Sequence, residues 1–226
     1  MPTYTRLEVL NEIIKVGLVP LFYNQELEIA ELVLNSCMIA KAKVVEYINR
    51  GNSALDVFKA LNRLIEQKNY DVILGAGTID DPFTASLFIQ AGANFIVSPS
   101  LNIETARLCN RYKIAYIPGC FTISEIALAE EYGVEICKLF PANQTFGPDF
   151  IKAINGPRPW SRIMPTGGIP FEQNAIKKWI RAGAVAVGMG SSLISQEVIQ
   201  GRKFKELSEN IRQIVQWIRE ERTNSQ

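Results

Sequence analysis

The sequence predicts an α/β protein, a single (β/α)8 barrel of the TIM type with a leading N-terminal helix. Three observations predict it. Eight short, apolar, β-prone runs alternate with amphipathic helical patterns along the 226 residues. The alternation is complete within about 200 residues, the compact end for such a barrel. Charged, hydroxyl and glycine residues gather just after the runs, at the strand ends where a barrel carries its active site. The competing architecture is an open, doubly wound sheet. No Gly-x-Gly-x-x-Gly follows the first run, which weakens a dinucleotide-binding form of it.

The elements follow in order. An amphipathic helix spans about residues 3–16. The first strand is expected at 18–23, then Ile29, Leu32, Val33 and Ser36 keep helical spacing. The second strand is expected at 43–48, and Leu55, Phe58, Leu61, Leu64 and Ile65 mark the helix after it. The third and fourth strands fall at 72–76 and 94–98, the fifth at 114–117. Ile123, Ile126, Ala127 and Glu130 give the next helix, followed by strands at 135–140, 161–165 and 184–188. Ala-Gly-Ala recurs at 91–93 and 182–184, directly before strands, where glycine can end a helix in the left-handed conformation. A charged helix over about 202–222 closes the chain. Residues 1–226 read as one domain, with 220–226 expected as a frayed polar tail.

Composition narrows the chemistry. Lys and Arg number 24, Asp and Glu 23, so nothing points to nucleic acid or a membrane surface as partner. The N-terminus has no apolar signal core and no run reaches bilayer length, which predicts a cytoplasmic protein. Cys37, Cys109, Cys120 and Cys137 form no Cys-x-x-Cys pair and read as buried free thiols. There is no histidine, so Ser-His-Asp and Cys-His catalysis and every imidazole metal site are excluded. Proton transfer then falls to carboxylates, lysines, tyrosines or water.

Lys138 stands in an apolar run that Pro141 ends. Burial there disfavours its charged form, and a neutral amine attacks carbonyls. Alone, it reads rather as a lysine whose ammonium reaches water from a strand end. Alternation adds company. Val44, Glu46, Ile48 and Arg50 share one strand face, Ile136, Lys138 and Phe140 another, and Leu74, Ala76 and Thr78 a third. If those faces point inward, Glu46, Arg50, Thr78 and Lys138 converge on one pocket. Lys138 would form a Schiff base and Glu46 would move protons. The Arg50 fork and the Thr78 hydroxyl would hold a substrate carboxylate. A buried Glu46–Lys138 ion pair is the structural alternative, and helix capping is a second role for Thr78. Gly167-Gly168 and Gly190-Ser191 follow the last two strands, the usual phosphate site of such barrels.

Several segments carry a resemblance: Leu-Val-Pro-Leu (18–21), Val-Val-Glu-Tyr-Ile-Asn-Arg (44–50), Gly-Ala-Gly-Thr (75–78), Ile-Val-Ser-Pro (96–99) and Ile-Pro-Gly (117–119). Lys-Leu-Phe-Pro-Ala (138–142), Pro-Thr-Gly-Gly-Ile (165–169) and Gly-Ser-Ser-Leu (190–193) complete it. In this order they resemble the class I 2-keto-3-deoxy-6-phosphogluconate (KDPG) and 4-hydroxy-2-oxoglutarate (KHG) aldolases, from about residue 7 to 195. The resemblance implies Lys138 as Schiff-base lysine, Glu46 as general acid/base, and Arg50 with Thr78 on the pyruvate carboxylate. It implies substrate phosphate at Gly167, Gly168, Gly190 and Ser191, a homotrimer, and neither metal nor organic cofactor. Departures from the family pattern stand at Ile48, at Ala40-Lys41, at Phe22-Tyr23 and at Ala142-Asn143. The expected reaction is reversible cleavage of the 6-phosphate of a 2-keto-3-deoxy sugar acid to pyruvate and glyceraldehyde 3-phosphate. A related keto acid (4-hydroxy-2-oxoglutarate or the galactonate-derived isomer) is the second reading. A non-catalytic phosphosugar-binding barrel is the third.

Overall fold

The computed structural model of the chain describes residues 2–142 and 147–224. Asn143, one of the departures above, lies outside them. α1 (Arg6–Val16) starts on a capping box in which Thr5 and Glu8 satisfy each other's backbone N–H, and it ends on left-handed Gly17. Strands and helices then alternate: β1 (Leu18–Phe22), α2 (Leu27–Ile39), β2 (Val44–Ile48), α3 (Ala54–Lys68), β3 (Ile73–Gly77), α4 (Pro82–Gln90), β4 (Phe95–Val97) and α5 (Ile103–Tyr112). The second half runs β5 (Ala115–Ile117), β6 (Gly119–Cys120), α6 (Ile123–Glu131), β7 (Cys137–Leu139), α7 (Gly147–Asn155), β8 (Ile163–Pro165), α8 (Gln173–Arg181) and β9 (Val187–Met189). α9 (Gln196–Gln200) and the long α10 (Phe204–Asn224) finish the chain.

Every pairing is parallel. The order is β5-β4-β3-β2-β1-β9 in one sheet and β6-β7-β8 in the other. The α/β class and the curled parallel sheet agree with the sequence, while the pairing divides what was expected as one ring of eight strands. The fifth expected strand is the point of division. Pro118 has no N–H to donate, so the ladder is interrupted there, between β5 and β6, while the chain runs straight on. Gly119 lies so close to Pro99 that an added Cβ would sit 1.8 Å from its carbonyl oxygen. The sheets also meet where Thr166 bridges Gly188, and where the Val185 N–H donates to the Ile163 carbonyl at 3.0 Å.

Two apolar clusters flank the strands. Leu74, Ala76, Val45, Tyr47, Cys137 and Leu139 pack outward under the helices. Val44, Ile73, Phe95, Ile136 and Met164 point inward and are closed from below by Val9, Leu10 and Ile13 of α1. The inward cluster corrects one sequence expectation. β3 turns Leu74 and Ala76 outward, and its inner face is Ile73, Gly75 and Gly77. A strand buried on both sides shows no alternation of polarity, and the two glycines removed the inward side chains that would have revealed the face.

All four cysteines are free and buried. Among the described residues no helix is long and apolar enough to cross a membrane. Of the tail expected to fray, residues 220–224 belong to α10, which runs to Asn224, and 225–226 lie outside the described residues. Buried Glu221 accepts from Arg181 Nε at 2.8 Å, and Arg222 donates to the Lys15 and Val185 carbonyls at 3.0 and 2.6 Å. These contacts pin the last turns of the helix across the base of α1.

Candidate active site

A cavity of about 950 Å³ opens at the C-terminal ends of the strands. Lys138, Glu46, Arg50 and Thr78 all line it. So do Gly167, Gly168, Gly190 and Ser191. Each reaches it by a different local route.

Lys138 is the middle residue of β7, between Gly119 of β6 and Met164 of β8, and only 6% of it is exposed. Its backbone N–H donates to Pro118 O at 2.9 Å. Its Nζ lies 4.6 Å from the centroid of the Phe140 ring, two residues on and on the same face. Glu46, the middle residue of β2, is 1% exposed, and its Oε2 has no hydrogen-bond partner. Burial holds the Glu46 carboxyl above its ordinary value, and the Lys138 charge pulls the other way. A buried carboxyl raised above its ordinary value, under the influence of an amine, is suited both to take and to give a proton.

The room for that carboxyl comes from Gly77. A Cβ built there would lie 1.8 Å from Glu46 Oε1 and 2.5 Å from its Cδ. The second glycine of Gly-Ala-Gly-Thr is therefore a space requirement of Glu46. Thr78 follows directly. It reaches the cavity not by strand alternation but because its backbone turns left-handed, φ 59°. That conformation is costly for a β-branched residue and re-aims the chain at the strand end. Thr78 does not cap α4, the second role its position suggested. Asp81 directly precedes Pro82 and accepts from the backbone N–H groups of Phe83 and Thr84. Arg50, two residues past β2, is exposed at the rim.

Gly167 and Gly168 are both left-handed, φ 86° and 78°. Consecutive residues of this kind expose a run of backbone N–H groups on a turn, which suits an anion. Gly190 and Ser191 follow β9 beside them, across the Thr166–Gly188 bridge.

Sequence reasoning passed over one lining residue. Thr166 is 2% exposed, its hydroxyl has no partner, and it lies over Gly188, where an added Cβ would come within 2.3 Å of its Oγ1. It sat unnoticed between the proline and the glycines of Pro-Thr-Gly-Gly. Tyr23, noted in the sequence as part of a departure from the family pattern, follows β1 and lines the mouth. Among the described residues no group of three or more His, Cys, Asp or Glu is placed to hold a metal ion.

Comparison with known proteins gives the family. A family model described as KDPG and KHG aldolase matches residues 9–210. The 2-dehydro-3-deoxy-phosphogluconate aldolase of Haemophilus influenzae is 30% identical over 176 residues, 78% of this chain and 80% of that protein. The KHG/KDPG aldolase of Escherichia coli is 28% identical over 198 residues, 88% and 90% of the two chains. Among solved structures, the KDPG aldolase of Legionella pneumophila, with pyruvate captured as a covalent carbinolamine intermediate, superposes with a TM-score of 0.80 at 26% identity. That match covers 90% of this chain and 97% of the other. With most of its length matched by the family model and by these relatives, the chain belongs to the KDPG and KHG aldolase family.

Proposed function

We propose that the protein is a class I aldolase that reversibly cleaves 2-dehydro-3-deoxy-6-phosphogluconate to pyruvate and D-glyceraldehyde 3-phosphate. The observation that carries it is the pair of buried, cavity-lining groups, Lys138 and Glu46, with a carboxyl oxygen left unpaired beside the amine. Lys138 Nζ attacks the C2 carbonyl, and Glu46 protonates the departing hydroxyl of the carbinolamine so that water leaves. The resulting iminium draws in the C3–C4 bonding electrons as the C4 hydroxyl gives up its proton to Glu46. The aldehyde departs, Glu46 returns a proton to C3 of the enamine, and water releases pyruvate from Lys138. Arg50 and Thr78 hold the carboxylate, and the turns at Gly167-Gly168 and Gly190-Ser191 hold the phosphate.

Borohydride reduction in the presence of pyruvate tests the central step. Mass spectrometry should find the reduced adduct on the peptide that contains Lys138. An unmodified Lys138 would sink the Schiff-base assignment. Comparing kcat/KM for the gluconate- and galactonate-derived substrates and for 4-hydroxy-2-oxoglutarate then ranks the substrates. The first is expected to lead.

The two sheets serve this chemistry as a closed (β/α)8 barrel, a reading supported by the Thr166–Gly188 bridge and the continuous passage from β5 to β6. The assembly is a homotrimer. Support comes from α4, which turns Phe83 (83% exposed) and Leu87 (51%) to solvent in the single chain. Light scattering should give the mass of three chains, and a monomer at micromolar concentration would refute it. The buried free thiols fit a reducing compartment, and cytoplasmic location is part of the proposal. Recovery of a tagged protein outside the cytoplasm would contradict it.

A further inference from the structure

Tyr23 stands at the cavity mouth in a position that the chemistry above does not use. Leu21 pairs with Glu46 and Phe22 with Tyr47, and Tyr23 follows at the end of β1. On the other side Pro20 pairs with Met189, and Leu21 lies against Gly190, where an added Cβ would sit 3.0 Å from its side chain. β1 lies between β2 and β9, so Tyr23, directly after it, stands between the Arg50 rim and the turn at Gly190-Ser191, and all of them line the cavity.

The ring is held from behind and free in front. It tilts against Tyr47 with centroids 6.1 Å apart. Tyr47 is fully buried, packs edge-on to Phe22, and donates its hydroxyl to the Asn24 carbonyl at 2.8 Å. The Tyr23 hydroxyl reaches Gly51, where an added Cβ would sit 3.0 Å from it. Among the described residues no hydrogen bond engages that hydroxyl. A half-buried phenol with a fixed ring and an unused O–H, facing a polar cavity, is built to meet a ligand oxygen.

The floor and rim already account for half of the substrate. Lys138 and Glu46 take C2 and C3, and Arg50 with Thr78 takes the carboxylate. The other half, from C4 outward, must run to the glycine turns, and Tyr23 forms the wall between rim and turns. We propose that Tyr23 is a specificity-determining residue for the aldehyde half. Its hydroxyl donates to an oxygen of a hydroxylated, phosphorylated aldehyde portion and takes no part in the pyruvate half. This rests on the aldolase reading.

Tyr23→Phe tests it, because the ring stays against Tyr47 and only the oxygen is lost. Two measurements use pyruvate alone: borohydride trapping at Lys138, and exchange of pyruvate methyl protons with deuterated water. Both should stay within about two-fold of wild type. Cleavage of the six-carbon keto-deoxy acid phosphate should lose about ten- to a hundred-fold in kcat/KM. Equal cleavage by variant and wild type would overturn the proposal. So would parallel loss of exchange and cleavage, which would make Tyr23 a residue of the whole site. If the wild type itself neither traps pyruvate nor exchanges its protons, the aldolase reading fails and this inference goes with it. The two failures are told apart by which protein is silent.

Discussion

Lys138→Ala should lower carbon–carbon cleavage by at least about 10⁴-fold, roughly 5.5 kcal/mol of barrier. The size follows from the electron count. Without the amine there is no iminium, so the electrons of the breaking C3–C4 bond have no sink. With no histidine in the chain, no imidazole can take over the attack. The fold should survive. Lys138 is 6% exposed, so its removal relieves the desolvation of a buried ammonium while losing the packing of its stem and its contact with Phe140. These terms oppose each other, and a net change within about 2 kcal/mol is expected. Lys138→Met keeps the length and apolar volume of the stem and guards against an alanine variant that fails to fold. Single-turnover release of pyruvate, with circular dichroism and melting as controls, makes the comparison. A folded variant that retains more than about a hundredth of wild-type activity would show that another group opens the reaction.

The helices and most strands were legible because their spacing encodes burial. The capping box at Thr5–Glu8 and the Ala-Gly-Ala stops, where Gly92 and Gly183 take φ 99° and 103°, are local signals that the backbone obeys. The inward faces of β2 and β7 were legible too, because each carries a charge that an outward, helix-covered face would not tolerate. β3 was not. Beyond Ile73 its inner face is glycine, so Leu74 and Ala76 were the side chains to read toward the strand end, and they belong to the other side. Thr78 still reaches the cavity, but through a left-handed residue that alternation cannot foresee. Tyr23 was visible as a departure from the family pattern, but its place between the Arg50 rim and the Gly190-Ser191 turn depends on the strand order β2-β1-β9, which is not written in any strand alone.

Glu46→Gln should separate catalysis from stability in opposite directions. Turnover should fall about 10²- to 10⁴-fold with little change in KM, because glutamine fills the same space beside Gly77 and cannot move a proton. Trapping of pyruvate on Lys138 should slow, because carbinolamine dehydration has lost its acid. Stability should move the other way as pH rises. Burial keeps the folded-state carboxyl above its ordinary value of 4.5, against the pull of Lys138. The folded protein thus holds this proton more tightly than the unfolded chain. The stability tied to the neutral form is complete below the unfolded value and is lost as pH climbs through the folded one. Glutamine stays neutral throughout. The melting temperature of Glu46→Gln relative to wild type should therefore increase as pH rises above the ordinary carboxyl value of 4.5. Each pK unit of separation is worth about 1.4 kcal/mol, and each kcal/mol moves the melting point by about 2–4 °C in a chain of this length. A difference that stays flat as pH rises would mean that Glu46 is ionised and balanced by Lys138 in the folded state. It would then be a partner of an ion pair rather than a proton carrier, and the reaction would need its acid/base from elsewhere in the cavity.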